Sequence, residues 1–226
     1  MTDSLASLAR PALVAVVVCL LPALAHAEEA PVTVYVGTYT EGTSRGIYRF
    51  SLDPATGAAD APVLAAAATS PSFLALHPKR SFLYAVNETG TFGGAAPGAV
   101  SAFAIDPKTG DLTLLNQQPS EGAAPCHLAV DRTGRNLLVA NYGGGSVALL
   151  RIGADGRVER ASAIQTHAGK GANPSRQDKP HAHGVYLDAA ERYALVPDLG
   201  ADAVFVYRFD ADKGTLTPHG KTALEP

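Results

Sequence analysis

Three short stretches of this sequence carry side chains able to move a proton or grip a polar ligand. They are His181-Ala182-His183, Cys126-His127 and Asn141-Tyr142. Asp198 adds a carboxylate, and Arg176 adds a guanidinium inside the long, polar, cationic run 166–180 that precedes the paired histidines. Histidine titrates near working pH, so one of the pair reads as a general acid or base. The opposing reading is an imidazole satisfied by backbone bonds in a channel wall. On a strand, residues 181 and 183 would share one face, as two metal ligands do. No third His, Cys or carboxylate stands at a telling distance, so no metal and no cofactor is expected. Arg176 fits either a bidentate clamp on a carboxylate or phosphate, or a solvated loop charge. Cys126 could be a thiol nucleophile, but packing explains it as well. Gly143-Gly144-Gly145 lacks the Lys and Ser/Thr of a phosphate loop and leads into a strand, so it reads as a wide hairpin turn. His77, His167 and His219 read as turn or surface residues. Asn87-Glu88-Thr89 matches the glycosylation triplet, with nothing else to support that use.

The elements that must position these groups repeat. Pro71-Ser72-Phe73-Leu74-Ala75-Leu76 … Tyr84-Ala85-Val86-Asn87 matches Pro125-Cys126-His127-Leu128-Ala129-Val130 … Leu138-Val139-Ala140-Asn141 without a gap, at an offset of 54. A third copy, His183-Gly184-Val185-Tyr186-Leu187 … Leu195-Val196-Pro197-Asp198, follows at 57, and Val34-Tyr35-Val36-Gly37-Thr38 is the end of an earlier copy. Each copy is followed by a β-branched or aromatic strand and then an Asp/Gly turn, with turn glycines at 57, 110, 156 and 214. Strands apolar on both faces must be covered on both faces. A unit of about 50 residues holding four strands predicts a propeller blade. A β-sandwich of regular hairpins is the competing architecture, and a gapless self-match speaks against it. The ligand-bearing residues then fall at the ends of inner strands, where loops converge on a central channel.

Composition narrows the function. The 226 residues are 46% apolar and 17% charged, with 22 Gly, 16 Pro and a formal net charge of −3, which excludes a disordered chain, a coiled coil and a basic nucleic-acid binder. Residues 12–21 form a ten-residue apolar run, Pro22 breaks it, and Ala25-His26-Ala27 supplies an A-x-A cleavage site. Residues 1–27 therefore read as a secretory signal and 28–226 as the mature domain. The expected location is periplasmic or secreted, with no membrane association after cleavage, since ten apolar residues are too few to span a bilayer. Cys126 would then be the one remaining cysteine, leaving no internal disulfide.

The residues also match a known pattern. Val34-Tyr35-Val36-Gly37-Thr38-Tyr39-Thr40, Pro125-Cys126-His127-Leu128, Ala140-Asn141-Tyr142, Asn173-Pro174-Ser175-Arg176-Gln177 … Pro180-His181-Ala182-His183 and Pro197-Asp198-Leu199-Gly200-Ala201-Asp202 resemble the lactonase family of seven-bladed β-propellers. That family holds the bacterial-type 6-phosphogluconolactonases and the carboxymuconate cyclases. The resemblance implies an all-β propeller that hydrolyses a sugar lactone without a metal. His183 would activate water, His127 assist, and Arg176 hold the substrate or the developing oxyanion. Asn141, Tyr142, His181 and Asp198 would line the channel and bind substrate. Seven blades of about 52 residues need about 364, so residues 28–226 read as the N-terminal part of a larger ring. The family's later Gly-Pro-Arg-His and Asn-Glu motifs would lie beyond this chain, and a fragment ending here is expected to be poorly active by itself. The export signal favours an unphosphorylated lactone. Two other classes remain open, a non-catalytic propeller that binds a ligand or partner and a cyclase acting on muconates. The oligomeric state is not legible.

Overall fold

The computed structural model describes residues 30–91 and 98–225, so the signal assigned to residues 1–27 lies outside the described residues. All regular structure within them is β. The first sheet joins β1 (Val32–Val36), β2 (Gly46–Leu52) and β3 (Val63–Ala67). The second joins β4 (Leu74–Leu76), β5 (Phe82–Asn87), β6 (Ala99–Ile105) and β7 (Leu112–Pro119). The third joins β8 (Pro125–Val130), β9 (Asn136–Asn141), β10 (Ser146–Ile152) and β11 (Val158–Thr166), and the fourth joins β12 (Tyr186–Leu187), β13 (Tyr193–Asp198), β14 (Ala203–Asp210) and β15 (Thr215–Ala223). Each is an antiparallel meander in chain order. Neighbouring sheets meet β4 to β8 on the inside and β3 to β7 to β11 to β15 on the outside, as blades around an axis do.

The middle strands explain the sequence pattern. All six residues of β9 are buried. Leu137 and Val139 pack with Tyr84, Val86 and Val100 of the second sheet, whereas Leu138 and Ala140 pack with Ala194, Val196 and Tyr207 of the fourth. Alternate side chains of one strand therefore serve two different cores, and an uninterrupted apolar run follows. A third cluster, with Ile47, Leu83, Ala85 and Phe103, joins the first and second sheets. Outer strands keep one wet side, and the nine residues of β11 alternate between exposed and partly buried beyond its second position.

The predicted turns close the outer ends of the middle hairpins. Asp53, Asp106 and Asp210 each accept a backbone N–H on the side-chain Oδ1, from Ala55 at 2.8 Å, Lys108 at 2.8 Å and Lys213 at 3.0 Å. Gly57, Gly110 and Gly214 finish these turns at φ of 73°, 73° and 64°, a region that costs a residue with a Cβ. The first sheet is one strand short: β1 is the counterpart of β5, β9 and β13, and no described strand occupies the inner place held by β4, β8 and β12. The expectation that residues 34–38 are the end of an earlier copy matches this register.

Packing of this kind predicts a sharp contrast. Leu138 is wholly buried between sheets, while Leu114 on β7 is 51% exposed. Leu138→Ala is expected to lower unfolding free energy by about 2–5 kcal/mol, and Leu114→Ala by no more than about 0.5 kcal/mol. Urea titration followed by far-UV circular dichroism reads both.

Candidate active site

Strands β5, β9 and β13 end in Asn87, Asn141 and Asp198, which register places at one repeat position. All three are buried. Asn87 donates from Nδ2 to the Thr69 carbonyl at 2.8 Å, and Asn141 donates to the Ser120 carbonyl at 2.9 Å. These bonds tie the strand end to the chain leaving the outer strand of the preceding blade. The following residues, Glu88 and Tyr142, project into a common hollow with Tyr39, their counterpart after β1. Ser72, Cys126 and His183 supply a second tier, again at one repeat position, at the entry to the inner strands. Arg176 reaches in from the loop after β11, and the hollow measures about 340 Å³, within the usual span of small-molecule sites.

The arginine loop is built rather than loose. Gln177 donates from Nε2 to the Leu199 carbonyl at 2.8 Å and also bonds Asp202, whose Oδ2 accepts from the Ala172 N–H at 2.9 Å. Gly200 lets this loop approach: a Cβ there would sit 1.9 Å from the Lys179 carbonyl oxygen. The Arg176 guanidinium itself is exposed and enters no ion pair among the described residues.

Electrostatics sort the lining groups. Glu88 Oε2 accepts from Tyr39 Oη at 2.9 Å and from Ser72 Oγ. That bond holds the Tyr39 phenol above its ordinary value, so it stays protonated. Burial, reinforced by the Glu88 charge, pushes the Cys126 thiol up to about 11. The thiol stays neutral at pH 7, with Sγ 3.6 Å from the His183 carbonyl oxygen, so Cys126 is a packing residue rather than a nucleophile. Tyr142 lies between the paired histidines: its ring stacks on His181 at 4.4 Å and meets the His183 ring edge-on at 5.7 Å. His181 is further held by its Nδ1, 3.0 Å from the Tyr142 carbonyl oxygen. His183 is exposed to the hollow.

His127 stands on inner strand β8, its ring 4.1 Å from Phe73 and 4.9 Å from Tyr186. Its Nδ1 accepts the Val185 N–H at 3.3 Å. Burial, with a smaller contribution from His183, pushes its pKa down to about 4. His127 is therefore neutral at pH 7 and carries its proton on Nε2.

Several sequence readings need correction. Asn141 and Asp198 do not line the channel: Asn141 and the Asp198 side chain are both 0% exposed, with the Asn141 amide nitrogen and the Asp198 carboxylate bonded at the blade ends and Asn141 Oδ1 buried without a hydrogen-bond partner among the described residues. His167 is not a surface residue. It is buried, stacks on Phe205 at 3.8 Å, and donates from Nδ1 to Asp198 Oδ2 at 2.6 Å. His77 sits in a turn as expected but is buried against Gly134, whereas His219 is exposed. His181 and His183 lie outside the strands; Ala182 between them bridges Asp198, and both imidazoles contact the Tyr142 ring. Asn87 of the glycosylation triplet is buried with its amide engaged. Among the described residues no group of three or more His, Cys, Asp or Glu is arranged to hold a metal ion. Sequence reasoning missed Tyr39, Ser72 and Glu88 as lining residues. The offset of 54 that relates Glu88 to Tyr142 is the signal that points to them.

Comparison with known proteins identifies the fold and its family. The sequence profile described as "Lactonase, 7-bladed beta-propeller" matches residues 33–226. A Bacillus subtilis protein named 6-phosphogluconolactonase is 36% identical over 192 residues, 85% of this chain and 53% of that one. A crystal structure from Bacteroides fragilis superposes with a TM-score of 0.80 at 36% identity, covering 87% of this chain and 55% of the other. The periplasmic gluconolactonase of Pseudomonas aeruginosa superposes with a TM-score of 0.73 at 28% identity, covering 87% and 69%. The chain spans about half the length of the curated relatives it matches.

The half-buried imidazole of His127 gives a pH signature. It takes no proton in the folded state until about pH 4, whereas an unfolded histidine binds one below about 6.5. The unfolded state thus holds more protons between these values, and folding stability falls as pH drops from about 6.5 toward 4. Denaturant titrations at pH 7 and pH 4.5 are expected to show this loss, and His127→Asn is expected to shrink it.

Proposed function

This chain belongs to the lactonase family of seven-bladed β-propellers, and from that premise we propose that its hollow hydrolyses a sugar lactone through a histidine-activated water, with no metal in the scheme. The observation that carries the reading is one cavity bringing together an exposed imidazole, His183, and a guanidinium, Arg176, that enters no ion pair among the described residues. Lactone hydrolysis needs a base for water and a cation or donor for the oxyanion.

In this scheme His183 takes a proton from water as its oxygen attacks the lactone carbonyl carbon. The carbonyl oxygen becomes an oxyanion, which Arg176 stabilises through charge-assisted bonds. The ring C–O bond then breaks, and the proton held by His183 passes to the departing ring oxygen. The product is a hydroxy acid that releases its carboxyl proton to solvent. His127, neutral on the adjoining inner strand, supports the His183 region, and Tyr142 fixes both His181 and His183 by ring contact. Export is part of the same proposal, which rests on the leader-like sequence of residues 1–27 and places the reaction outside the cytoplasm.

Proton release from glucono-1,5-lactone in a pH-stat is expected to exceed the spontaneous rate. His183→Ala is expected to lower kcat/KM by about 100-fold or more, the usual contribution of a general base. Because the ring is exposed, its thermal unfolding should match the parent. Hydrolysis undiminished in that variant would remove His183 as the base.

A further inference from the structure

Glu88 is the one carboxylate among the described residues lining the hollow, and the scheme above gives it no task. It is half-buried at the end of β5, and its Oε2 is held by two hydroxyls, Tyr39 and Ser72. These bonds fix the carboxylate and leave Oε1 with no hydrogen bond from the described residues. A fixed anionic oxygen with open lone pairs is a strong acceptor for O–H donors. Exposed Tyr39 and the Tyr142 ring stand beside it, apolar faces against which the C–H side of a sugar can rest.

The same carboxylate is a poor neighbour for a phosphate, which carries about −1.5 to −2 charges at pH 7. The one described cation lining the hollow is Arg176, committed in this scheme to the lactone oxygen. The Lys179 ammonium donates instead to the Gly143 carbonyl at 3.2 Å. We propose that Glu88 binds the hydroxyls of the sugar and sets the specificity of the site, admitting an uncharged polyhydroxylated lactone and disfavouring its phosphorylated counterpart. The proposal rests on the lactonase reading of this hollow and adds to it a substrate class and the residue that selects it.

The test pairs binding with turnover, using the whole chain. Calorimetry with D-glucono-δ-lactam, a non-hydrolysable analogue, and with its 6-phosphate reads recognition alone; kcat/KM on the two matching lactones reads the reaction. The parent protein is expected to favour the unphosphorylated ligand by at least about tenfold in both assays, the scale of one charge-assisted hydrogen bond. Glu88→Gln should weaken lactam binding at least about tenfold and narrow the preference. The double variant Tyr39→Phe with Ser72→Ala frees the carboxylate without removing it, so it should give a smaller loss in the same direction; it decides the matter if Glu88→Gln does not fold. Equal or tighter binding of the 6-phosphate by the parent, an unchanged preference in Glu88→Gln, or binding of neither ligand overturns the proposal. Glu88-dependent lactam binding without hydrolysis would sink the lactonase reading while leaving this one standing. Hydrolysis indifferent to Glu88 would do the reverse.

Discussion

A sheet covered on both faces by other sheets can show its polar chemistry only at its ends. That constraint organises this molecule. The middle strands β9 and β10 are buried along almost their whole length, so neither face can carry a ligand group. Strand pairing satisfies their backbone groups, and each face is sealed by a neighbouring blade. Side chains with chemistry are therefore pushed to the residues just past a strand end or at the entry to an inner strand. Tyr39, Glu88 and Tyr142 occupy the first kind of place, and Ser72, Cys126 and His183 the second. One hollow collects both sets because the blades converge there.

The ends themselves must be closed, since a frayed end would leave orphaned polar groups beside the core. The closure pairs donor with acceptor in the second, third and fourth sheets, while Asn141 Oδ1 and His167 Nε2 stay buried without a partner among the described residues. Where a carbonyl leaves the preceding outer strand, at Thr69 and Ser120, the strand end carries an amide donor, Asn87 or Asn141. In the fourth blade the incoming group is the His167 imidazole, itself a donor, and the strand end is the acceptor Asp198. Asp198 also accepts the N–H groups of His181 at 2.7 Å and Ala201 at 2.9 Å. Burial alone would raise its carboxyl, yet these bonds hold it below the usual carboxylate range. One buried carboxylate thus fixes the backbone of the histidine pair at one side and the turn that seats the arginine loop at the other.

The blade architecture was legible because its physics is local and repeated. Two-sided burial writes continuous apolar strands, and each hairpin writes its Asp/Gly turn, so offsets of 54 and 57 emerge from the letters alone. The site was legible only where chemistry coincided with a motif, as at His183, Arg176 and Tyr142. Asn141 and Asp198 misled because a polar residue at a strand end looks the same in sequence whether it closes the blade or faces the channel. His167 misled for the opposite reason: its burial depends on Phe205 and Asp198, 38 and 31 residues away in a different blade. Glu88 was hidden inside a triplet whose asparagine is buried, although repeat arithmetic places it level with Tyr142.

Repetition and function pull in opposite directions, and the hollow shows how both are served. A closed stack of blades needs equivalent positions to have equivalent backbone, not equivalent side chains. At the entry to the inner strand the chain carries a hydroxyl in Ser72, a half-buried neutral thiol in Cys126 and an exposed imidazole in His183. After the middle strand it carries Tyr39, Glu88 and Tyr142. The scaffold thus places six side chains of five kinds by two rules of geometry, each set by strand register rather than by the group itself. Substitution at such a position changes the chemistry offered to a ligand while the strand pairing beneath it, and the cores that the pairing aligns, stay in place. That separation is why the wall facing the ligand can be the least repetitive part of a repetitive chain.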